Sequence, residues 1–270
     1  MNVSLATIED IKNSDIEALI EKHNETREHA IKQNNEDLAN NCWRNINIIK
    51  LNTLFIETFE KIKNKKHLDA WCDLEQCEIL CHNLIENSDD ELLDKSRVHF
   101  ISSKVKLWQS LFPYKVFISP GFVVGYYTCG ICNHKIRPRS RCEHVKGKIY
   151  WGKLCTHQGH ELEIREISLV TKPVQKYSVA IAGVDFDYSL VNYLIDKLDH
   201  AFEEWDVNWT TKNYLIDRFS SVQSSDDCPC KSGNKFNECC KNNESIDIPH
   251  VDFFFQKKLP KSKEGTVFPY

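Results

Sequence analysis

The first hundred residues have the apolar spacing of amphipathic helices. Neither glycine nor proline occurs before Pro113, and apolar residues recur at intervals of three or four up to about Ile85. One helix face consists of five residues at spacings of 4, 3, 4 and 3: Ala70, Leu74, Cys77, Cys81 and Leu84. A further helix start is indicated at Ser88–Glu91, which supplies a capping residue and acidic side chains. We therefore predict a helical domain over residues 1–110, with Cys77 and Cys81 as small core residues.

The pattern changes near Leu111, where short strands replace helices. Residues 112–130 are rich in Val, Phe and Tyr and are punctuated by Pro and Gly. Strand patterns return over residues 161–173 and 177–184. We predict a β-rich module over residues 111–184, which is small enough to profit from a structural metal ion.

A helical period resumes after Phe186. It is carried by five apolar residues: Leu190, Leu194, Leu198, Phe202 and Trp205. This spacing predicts a helical segment over residues 185–222, ending in a Ser- and Asp-rich linker. A cysteine-rich motif follows over residues 226–242, and then an aromatic and basic tail over residues 243–270, which either packs against the body or docks a partner. The predicted fold class is α+β.

Composition places the chain among cytoplasmic proteins without a membrane segment. The beginning of the sequence has no basic segment followed by an apolar stretch, and no run reaches the roughly 18 apolar residues of a membrane span. Twelve cysteines occur among 270 residues, and eight of them fall in two short stretches, residues 129–155 and 228–240. In a reducing compartment such clusters are more typical of metal sites than of disulfides.

Charge is segregated along the chain. The net charge is −4 overall, −8 over residues 1–100, +6 over residues 129–153 and −7 over residues 185–227. Six basic residues of the middle segment are candidates for nucleic-acid contact: Lys135, Arg137, Arg139, Arg141, Lys146 and Lys148. Tyr150 and Trp151 could stack on bases. The alternative is that these side chains only solvate a small metal module.

The C-terminal cluster consists of Cys228, Cys230, Cys239 and Cys240. Its two pairs are separated by eight residues, and Ser232-Gly233 provides a turn that returns the chain to the first pair. Four thiolates complete the tetrahedral shell of a structural zinc ion. A disulfide between the adjacent Cys239 and Cys240 would be strained. The spacing therefore predicts a closed zinc site without a position for substrate.

The motif C-P-C-x-S-G-x-K-F-x-x-C-C, from Cys228 to Cys240, resembles the SEC-C family. SEC-C motifs are zinc-binding modules found at the end of the translocase ATPase SecA and in many bacterial proteins. The resemblance covers thirteen residues, places the four cysteines at the ligand positions of the family and includes the aromatic residue Phe236. It implies a zinc knob that serves as a docking surface, which in SecA contacts a chaperone and the ribosome. The ATPase motifs of SecA do not occur in this sequence.

The central cluster consists of Cys129, Cys132, Cys142 and His144, in the pattern C-x2-C-x9-C-x-H. We expect Gly130 to allow the tight turn of the first pair. These ligand types suit zinc, so a second zinc ion is predicted. His144 is the preferred fourth ligand because its pair is closest. The competing residues for that position are Cys155, His157, His134 and His160.

The order of motifs from Ser119 to Pro173 also resembles cysteine-rich proteins of the phage-type head-maturation protease group. That resemblance implies a β framework and, at Ser119-Pro-Gly-Phe122, a loose match to the nucleophile position of those proteases. An upstream catalytic histidine in a strand is not evident, since His67 and His99 lie in helix-like surroundings. Arg139 and His144 have the R-x4-H spacing of HEPN-type ribonucleases, but a Pro-containing loop replaces the helix on which that motif belongs.

Two functions follow from these patterns. The first is a zinc-binding adaptor, whose structural zinc sites present docking surfaces for a protein or nucleic-acid partner. The second is a metal-dependent hydrolase or nuclease of a phage- or defence-related system. This enzyme would use Cys129, Cys132 and Cys142 with a metal-bound water and Glu143 as the base. We expect the adaptor, because both clusters offer a complete set of four ligands and no catalytic residue is identified.

Overall fold

Helices form the first part of the chain, as the apolar spacing predicted. A computed structural model describes residues 7–181 and 185–259. It divides the chain into an N-terminal unit, Met1–Phe202, and a C-terminal unit, Glu203–Tyr270. The helices before the first proline are α1 (Ile8–Asn13), α2 (Ile16–Lys32), α3 (Glu36–Lys63), α4 (His67–Ile85), α5 (Asp90–Lys95) and α6 (Val98–Leu111). The mixed α+β fold with a helical N-terminal region is therefore confirmed, and the amino-terminal residues 1–6 lie outside the described part.

Local signals account for where these helices begin and which face they bury. Asp89 caps α5, since its carboxylate accepts a hydrogen bond from the Leu92 backbone N–H at 2.8 Å. Asn35 caps α3 in the same way through the Leu38 N–H. The predicted stripe on α4 is buried at all five positions: Ala70, Leu74, Cys77, Cys81 and Leu84. This stripe packs α4 against α3 and α6, so the core of the N-terminal unit lies between these three helices.

A long two-stranded ribbon follows the helices. It pairs β1 (Phe117–Cys129) with β5 (His157–Val170) in antiparallel register, from Phe117 opposite Val170 to Cys129 opposite His157. The register shifts between Gly121 and Phe122, which leaves Arg165 as the extra residue of a β-bulge. The short β2 (Lys135–Ile136) adds to the end of β1. The strand predicted over residues 177–184 is reduced to a bridge between Phe117 and Val179, and residues 182–184 lie outside the described part.

A small hairpin fixes the central cluster to the helices of the N-terminal unit. Its strands are β3 (Ile149–Tyr150) and β4 (Lys153–Leu154). The side chain of Asn87 bonds it twice, by donating to the Gly147 carbonyl at 2.8 Å and by accepting from the Ile149 N–H at 3.0 Å. At the tip of the hairpin the Gly152 N–H donates to Asn40 Oδ1 at 2.7 Å. The β-rich region and the helical region therefore belong to one unit.

The prediction of a helical segment over residues 185–222 is wrong for most of its length. The α-helix is confined to α7 (Ser189–Ile195), and β6 (Trp205–Leu215) is a strand. The strand pairs along its whole length with β7 (Ser245–Phe255), which lies in the predicted tail. The pairing partner is distant in sequence, so the local apolar spacing that predicted a helix could not report it. Residues 260–270 of the tail lie outside the described part.

The C-terminal unit is built on this second ribbon. Two short 3-10 helices, Ile216–Phe219 and Phe236–Glu238, follow β6 and precede β7. Its buried core consists of Phe219, Cys228, Phe236, Ile246 and Ile248. In the described residues of the whole chain, no helix has the length and apolar character needed to cross a membrane.

Candidate metal centres

The C-terminal cluster brings four sulfur atoms together within one loop. The Sγ atoms of Cys228, Cys230, Cys239 and Cys240 all lie within 4.8 Å of one another. The distance is 3.3 Å between Cys228 and Cys230, 3.6 Å between Cys230 and Cys239, and 3.6 Å between Cys239 and Cys240. A tetrahedral ion with metal–sulfur bonds of about 2.3 Å separates its ligands by about 3.8 Å. The cluster could therefore hold a metal ion after small shifts of the side chains.

Turns in the left-handed region give the loop its shape. Lys231 and Gly233 have φ values of 61° and 82°. The Cys228 N–H bonds the Asn234 carbonyl at 2.8 Å, and the Lys231 N–H returns to the Cys228 carbonyl at 3.0 Å. Phe236 is buried beside Cys228 in the core of the unit. The aromatic residue of the motif thus anchors the loop that carries all four thiols.

One thiol of the C-terminal cluster is poised as a thiolate. Donation from the Ser232 hydroxyl lowers the pKa of Cys230 to about 6, although burial opposes this. Burial raises the pKa of Cys228 and of Cys240. Metal binding at neutral pH would therefore release protons from the other thiols. Of the nearby lysines, Lys235 pairs with Asp227 at 2.8 Å and Lys241 donates to the Ser224 hydroxyl at 2.6 Å.

The central cluster is assembled from the end of β1 and the loop before β3. The ligand atoms of Cys129, Cys132, Cys142 and His144 lie within 4.8 Å of one another. The first pair forms a tight turn in which the Ile131 N–H donates to Cys129 Sγ at 3.4 Å. Asn133, with φ of 58°, is the left-handed residue that ends this turn. These contacts place the four predicted donors around one point, which could hold a second metal ion.

Gly130 has a different role from the one we expected. It does not have a positive φ, so the turn does not depend on its conformational freedom. A Cβ atom at this position would lie 2.6 Å from Thr156 Oγ1 and 3.0 Å from the Thr156 carbonyl oxygen. The Gly130 N–H also donates to that carbonyl at 2.8 Å. Gly130 therefore permits the close approach of the start of β5 to the first cysteine pair.

His144 has a buried ring nitrogen that could bind a metal ion. Its Nδ1 atom is buried and has no hydrogen-bond partner among the described residues. A buried imidazole nitrogen normally has a partner, and its absence costs free energy. A metal ion bound by the three neighbouring thiols would supply that partner. The His144 ring meets the Tyr150 ring edge to face at 4.7 Å, and the Tyr150 hydroxyl accepts a hydrogen bond from the Val145 N–H at 2.9 Å.

Cys155 is a fourth thiol beside the three cysteines of the central cluster. It is buried at the end of β4, and its Sγ lies 3.8 Å from Cys129 Sγ. Burial opposes ionisation of Cys129, yet hydrogen bonds from the Cys132 and Ile131 amides lower its pKa to about 6. Burial and the contact with Cys129 raise the pKa of Cys155 to about 11. Of the two thiols in this contact, Cys129 is therefore the more acidic.

The other competing histidines have contacts outside the group of four. His134 Nε2 lies 3.1 Å from the Ser140 hydroxyl, and His160 Nε2 lies 2.8 Å from the Thr128 hydroxyl. His157 begins β5 opposite Cys129 and is not one of the four grouped residues. Burial raises the pKa of Cys142, as it does for Cys155. The geometry therefore favours His144 as the fourth donor and leaves Cys155 beside it.

The predicted basic residues do not form one uniform surface. Lys148 pairs with Glu86 at 3.0 Å, which lowers the pKa of that carboxyl group, and Lys135 lies over the Tyr126 ring at 3.6 Å. All six basic side chains are exposed, including those of Arg137, Arg139, Arg141 and Lys146. Tyr150 is occupied by its contacts with His144 and Val145, whereas Trp151 is 37% exposed. The sequence did not reveal that Tyr150 supports the metal cluster.

Residues considered for catalysis have structural contacts. Ser119 lies opposite Ser168 in the ribbon. His67 stacks on Tyr188 at 3.9 Å and lies 2.9 Å from Asn192 Oδ1, and His99 lies 3.5 Å from Asp90. Arg139 and His144 lie in a loop rather than on a helix.

Two cysteines of α4 belong to the helical core, as predicted. Cys77 and Cys81 are buried, and burial raises the pKa of both thiols, to about 12 for Cys81.

Comparison of the chain with protein-family models, with curated proteins and with solved structures gives no significant match. A functional proposal therefore rests on the chemistry of the two clusters.

Proposed function

We propose that the protein is a zinc-binding adaptor with two structural zinc ions. The observation that carries this proposal is the pair of four-donor groups, each with ligand atoms within 4.8 Å of one another. Thiolate-rich groups with one imidazole or none favour zinc, and four protein ligands are typical of structural rather than catalytic sites. Bound zinc would cross-link the loops of each cluster and would leave no coordination position for a substrate.

The C-terminal cluster is proposed as the docking knob. Its resemblance to SEC-C motifs supports this role, and its loop presents Lys231 and Lys241 as exposed side chains around the cysteines. The buried Phe236 and Cys228 join the loop to the core of the C-terminal unit, so a partner would meet a preformed surface. The partner of such a knob is expected to be a protein.

Metal analysis of the purified protein tests the proposal. We expect about two zinc ions per chain, and about one in the double variant Cys239→Ser/Cys240→Ser. Cys72→Ser is the matched control, because Cys72 is a partly exposed thiol of α4 outside both clusters, and it should retain both ions. A wild-type content clearly below about two ions per chain, or zinc loss in the control, would contradict the two-ion proposal.

Docking is tested separately by affinity capture with the same variants. The double variant should lose a specific protein partner that the wild type and Cys72→Ser both retain. A partner set that is unchanged after loss of the C-terminal zinc ion would remove the docking role, while the two-zinc proposal would stand on the metal analysis.

Nucleic acid is a second candidate partner. The exposed Arg137, Arg139 and Arg141 favour it, since guanidinium groups bind phosphates readily. Replacing all three with Gln should weaken binding to single-stranded nucleic acid and flatten its salt dependence, by up to about one unit of logarithmic slope per lost contact. Lys148→Gln is the control, because Lys148 is paired with Glu86. Binding that does not respond to salt would exclude this partner.

The alternative of a metal-dependent hydrolase requires an open position at the central cluster. Glu143, the candidate base, is an exposed side chain next to Cys142. X-ray absorption of the zinc-loaded double variant Cys239→Ser/Cys240→Ser reports the central site alone. An adaptor predicts three sulfur ligands and one nitrogen ligand, or four sulfur ligands, whereas a coordinated water would favour the hydrolase.

A further inference from the structure

The ribbon of β1 and β5 has one apolar face. In an antiparallel ladder, residues directly opposite each other point to the same face. On one face, four successive rows are apolar on both strands: Ile118 with Leu169, Pro120 with Ile167, Phe122 with Ile164, and Val124 with Leu162. The alternate rows on the other face pair Ser119 with Ser168, Gly121 with Glu166 and Val123 with Glu163. We call the eight residues of the first set the ribbon face.

The ribbon face is exposed to an extent that is unusual for an apolar surface. Six of its side chains are between 42% and 71% exposed: Ile118, Phe122, Leu162, Ile164, Ile167 and Leu169. Together they expose on the order of 600 Å², which is at the upper end of the about 300–600 Å² of the largest apolar patch on a typical monomer. The register explains why all of them share one side, because the bulge at Arg165 keeps the apolar residues of β5 in phase with those of β1.

The face is large enough for a dimer interface. Stable protein–protein interfaces bury at least about 1,200 Å² in total, so two ribbon faces reach the area that a dimer needs. All eight residues are uncharged, so a twofold axis through the ribbon brings no like charges together. The nearest charged residues of β5 include Glu163 and Glu166 on the opposite face, and the bulge residue Arg165 pairs with Glu163 at 3.1 Å. The face also offers no charge that would select a different partner.

From these observations we propose that the ribbon face is covered by the same face of a second copy of this chain. The two copies form a symmetric dimer in which β1 and β5 of one copy pack on β1 and β5 of the other. The central rows, which contain Phe122, Ile164 and Ile167, form the middle of the contact and are removed from water. None of these residues is a donor of either metal cluster, so the dimer is independent of the proposed zinc sites.

Light scattering and sedimentation equilibrium of the full chain test the dimer. The wild-type protein at about 50 μM should have twice the 31.5 kDa mass of one chain. Ile164→Lys should have the single-chain mass, with dimerisation weakened at least about 100-fold, because two lysines would be buried without partners. Val123→Lys is the matched control: Val123 is a β-branched residue of the same ribbon, 45% exposed, on the opposite face, and this variant should remain dimeric.

A second variant distinguishes loss of the dimer from loss of the fold. Ile167 is 71% exposed, so Ile167→Lys should also be monomeric, with the helical circular dichroism and metal content of the wild type. A variant that retains the helical circular dichroism and the metal content of the wild type is folded, so its mass tests the dimer. A wild-type monomer overturns the proposal, including the case in which another protein covers the face. It is also overturned by dimers that persist in Ile164→Lys and Ile167→Lys, or that dissociate equally in Val123→Lys.

Discussion

His144 distinguishes the central cluster from the C-terminal cluster, which offers thiols only. Its buried Nδ1 without a partner and its Cys155 neighbour give two candidates for the fourth ligand. We predict that His144→Ala weakens cobalt binding at least about tenfold and shifts the visible spectrum towards that of an all-thiolate site, if Cys155 takes the vacant position. Cys155→Ala should preserve both affinity and spectrum.

That comparison is cleanest in the Cys239→Ser/Cys240→Ser background, where cobalt can occupy only the central cluster. Loss of cobalt binding in Cys155→Ala with a normal spectrum in His144→Ala would assign Cys155, and not His144, as the native ligand.

Cys230 provides a prediction about pH. An ordinary cysteine has a pKa of about 8.5, whereas donation from the Ser232 hydroxyl lowers the pKa of Cys230 to about 6. The thiolate fraction therefore rises as the pH increases through about 6 and is nearly complete at pH 7. In the metal-free protein, alkylation of Cys230 followed by mass spectrometry should show a midpoint near pH 6, and added zinc should suppress it.

Cys72 is the internal reference for this measurement. It is partly exposed, but burial and nearby carboxylates raise its pKa, so its alkylation should increase only above the ordinary range. Equal midpoints for Cys72 and Cys230 would show that the metal-free loop does not hold the Ser232 contact.

At the scale of single residues, spacing predicted the eight residues that the structure gathers into two groups able to hold metal ions, because zinc ligands in pairs leave a signature within a short stretch of sequence. It did not predict the supporting residues. Tyr150 contacts His144 and Thr156 contacts Gly130 through folding of the chain, and neither contact leaves a periodic pattern.

The β3–β4 hairpin is the element that connects the central cluster to the helices. Gly152 at its tip has φ of 69°, and a Cβ atom there would lie 2.8 Å from the Ala39 carbonyl oxygen of α3. We predict that Gly152→Ala lowers the free energy of unfolding by about 2–3 kcal/mol, from backbone strain and this steric overlap. Urea unfolding followed by circular dichroism at 222 nm measures it, since the described α-helices all lie in the N-terminal unit.

Gly147 is a close match for that substitution. Its φ is 86°, but a Cβ atom would meet nothing within 4 Å. Gly147→Ala should therefore cost only the conformational term of about 1 kcal/mol. Equal losses in the two variants would mean that the tip of the hairpin does not pack closely on α3.

The elements themselves were predicted unequally. Helices α2 to α6 follow from local spacing and caps, and the two strands of the ribbon follow from their Val, Ile and Phe content. Strand β6 was missed because its partner β7 lies about thirty residues further along the chain, beyond the cysteine motif. Spacings of four among Leu190, Leu194 and Leu198 satisfied the helix criterion, although helix ends at Ile195.

On the scale of the whole molecule, the division after Phe202 predicts that metal ions bound at the two clusters would act on different parts of the fold. The central cluster shares its unit with the helices through the contacts of Asn87 and Gly152. Chelation of its metal should therefore lower the midpoint of thermal helix unfolding by at least about 5 °C, which corresponds to a few kcal/mol for a unit of this size.

The C-terminal metal should not have this effect. The double variant Cys239→Ser/Cys240→Ser should unfold its helices at the wild-type temperature before chelation and should show the full decrease afterwards. A decrease caused by the double substitution alone would contradict the assignment of the clusters to separate units.

The two sides of the β1–β5 ribbon also decide how far assembly can proceed. A sheet that is apolar on both sides can stack layer upon layer, which is the route to fibres. Here Glu163 and Glu166 occupy the side opposite the ribbon face, with Arg165 paired to Glu163 at 3.1 Å. A third copy would have to dehydrate these charges, and Val123 is the one apolar side chain in the three rows of that side that could compensate. The charged side would therefore end the stacking of the proposed dimer at two layers.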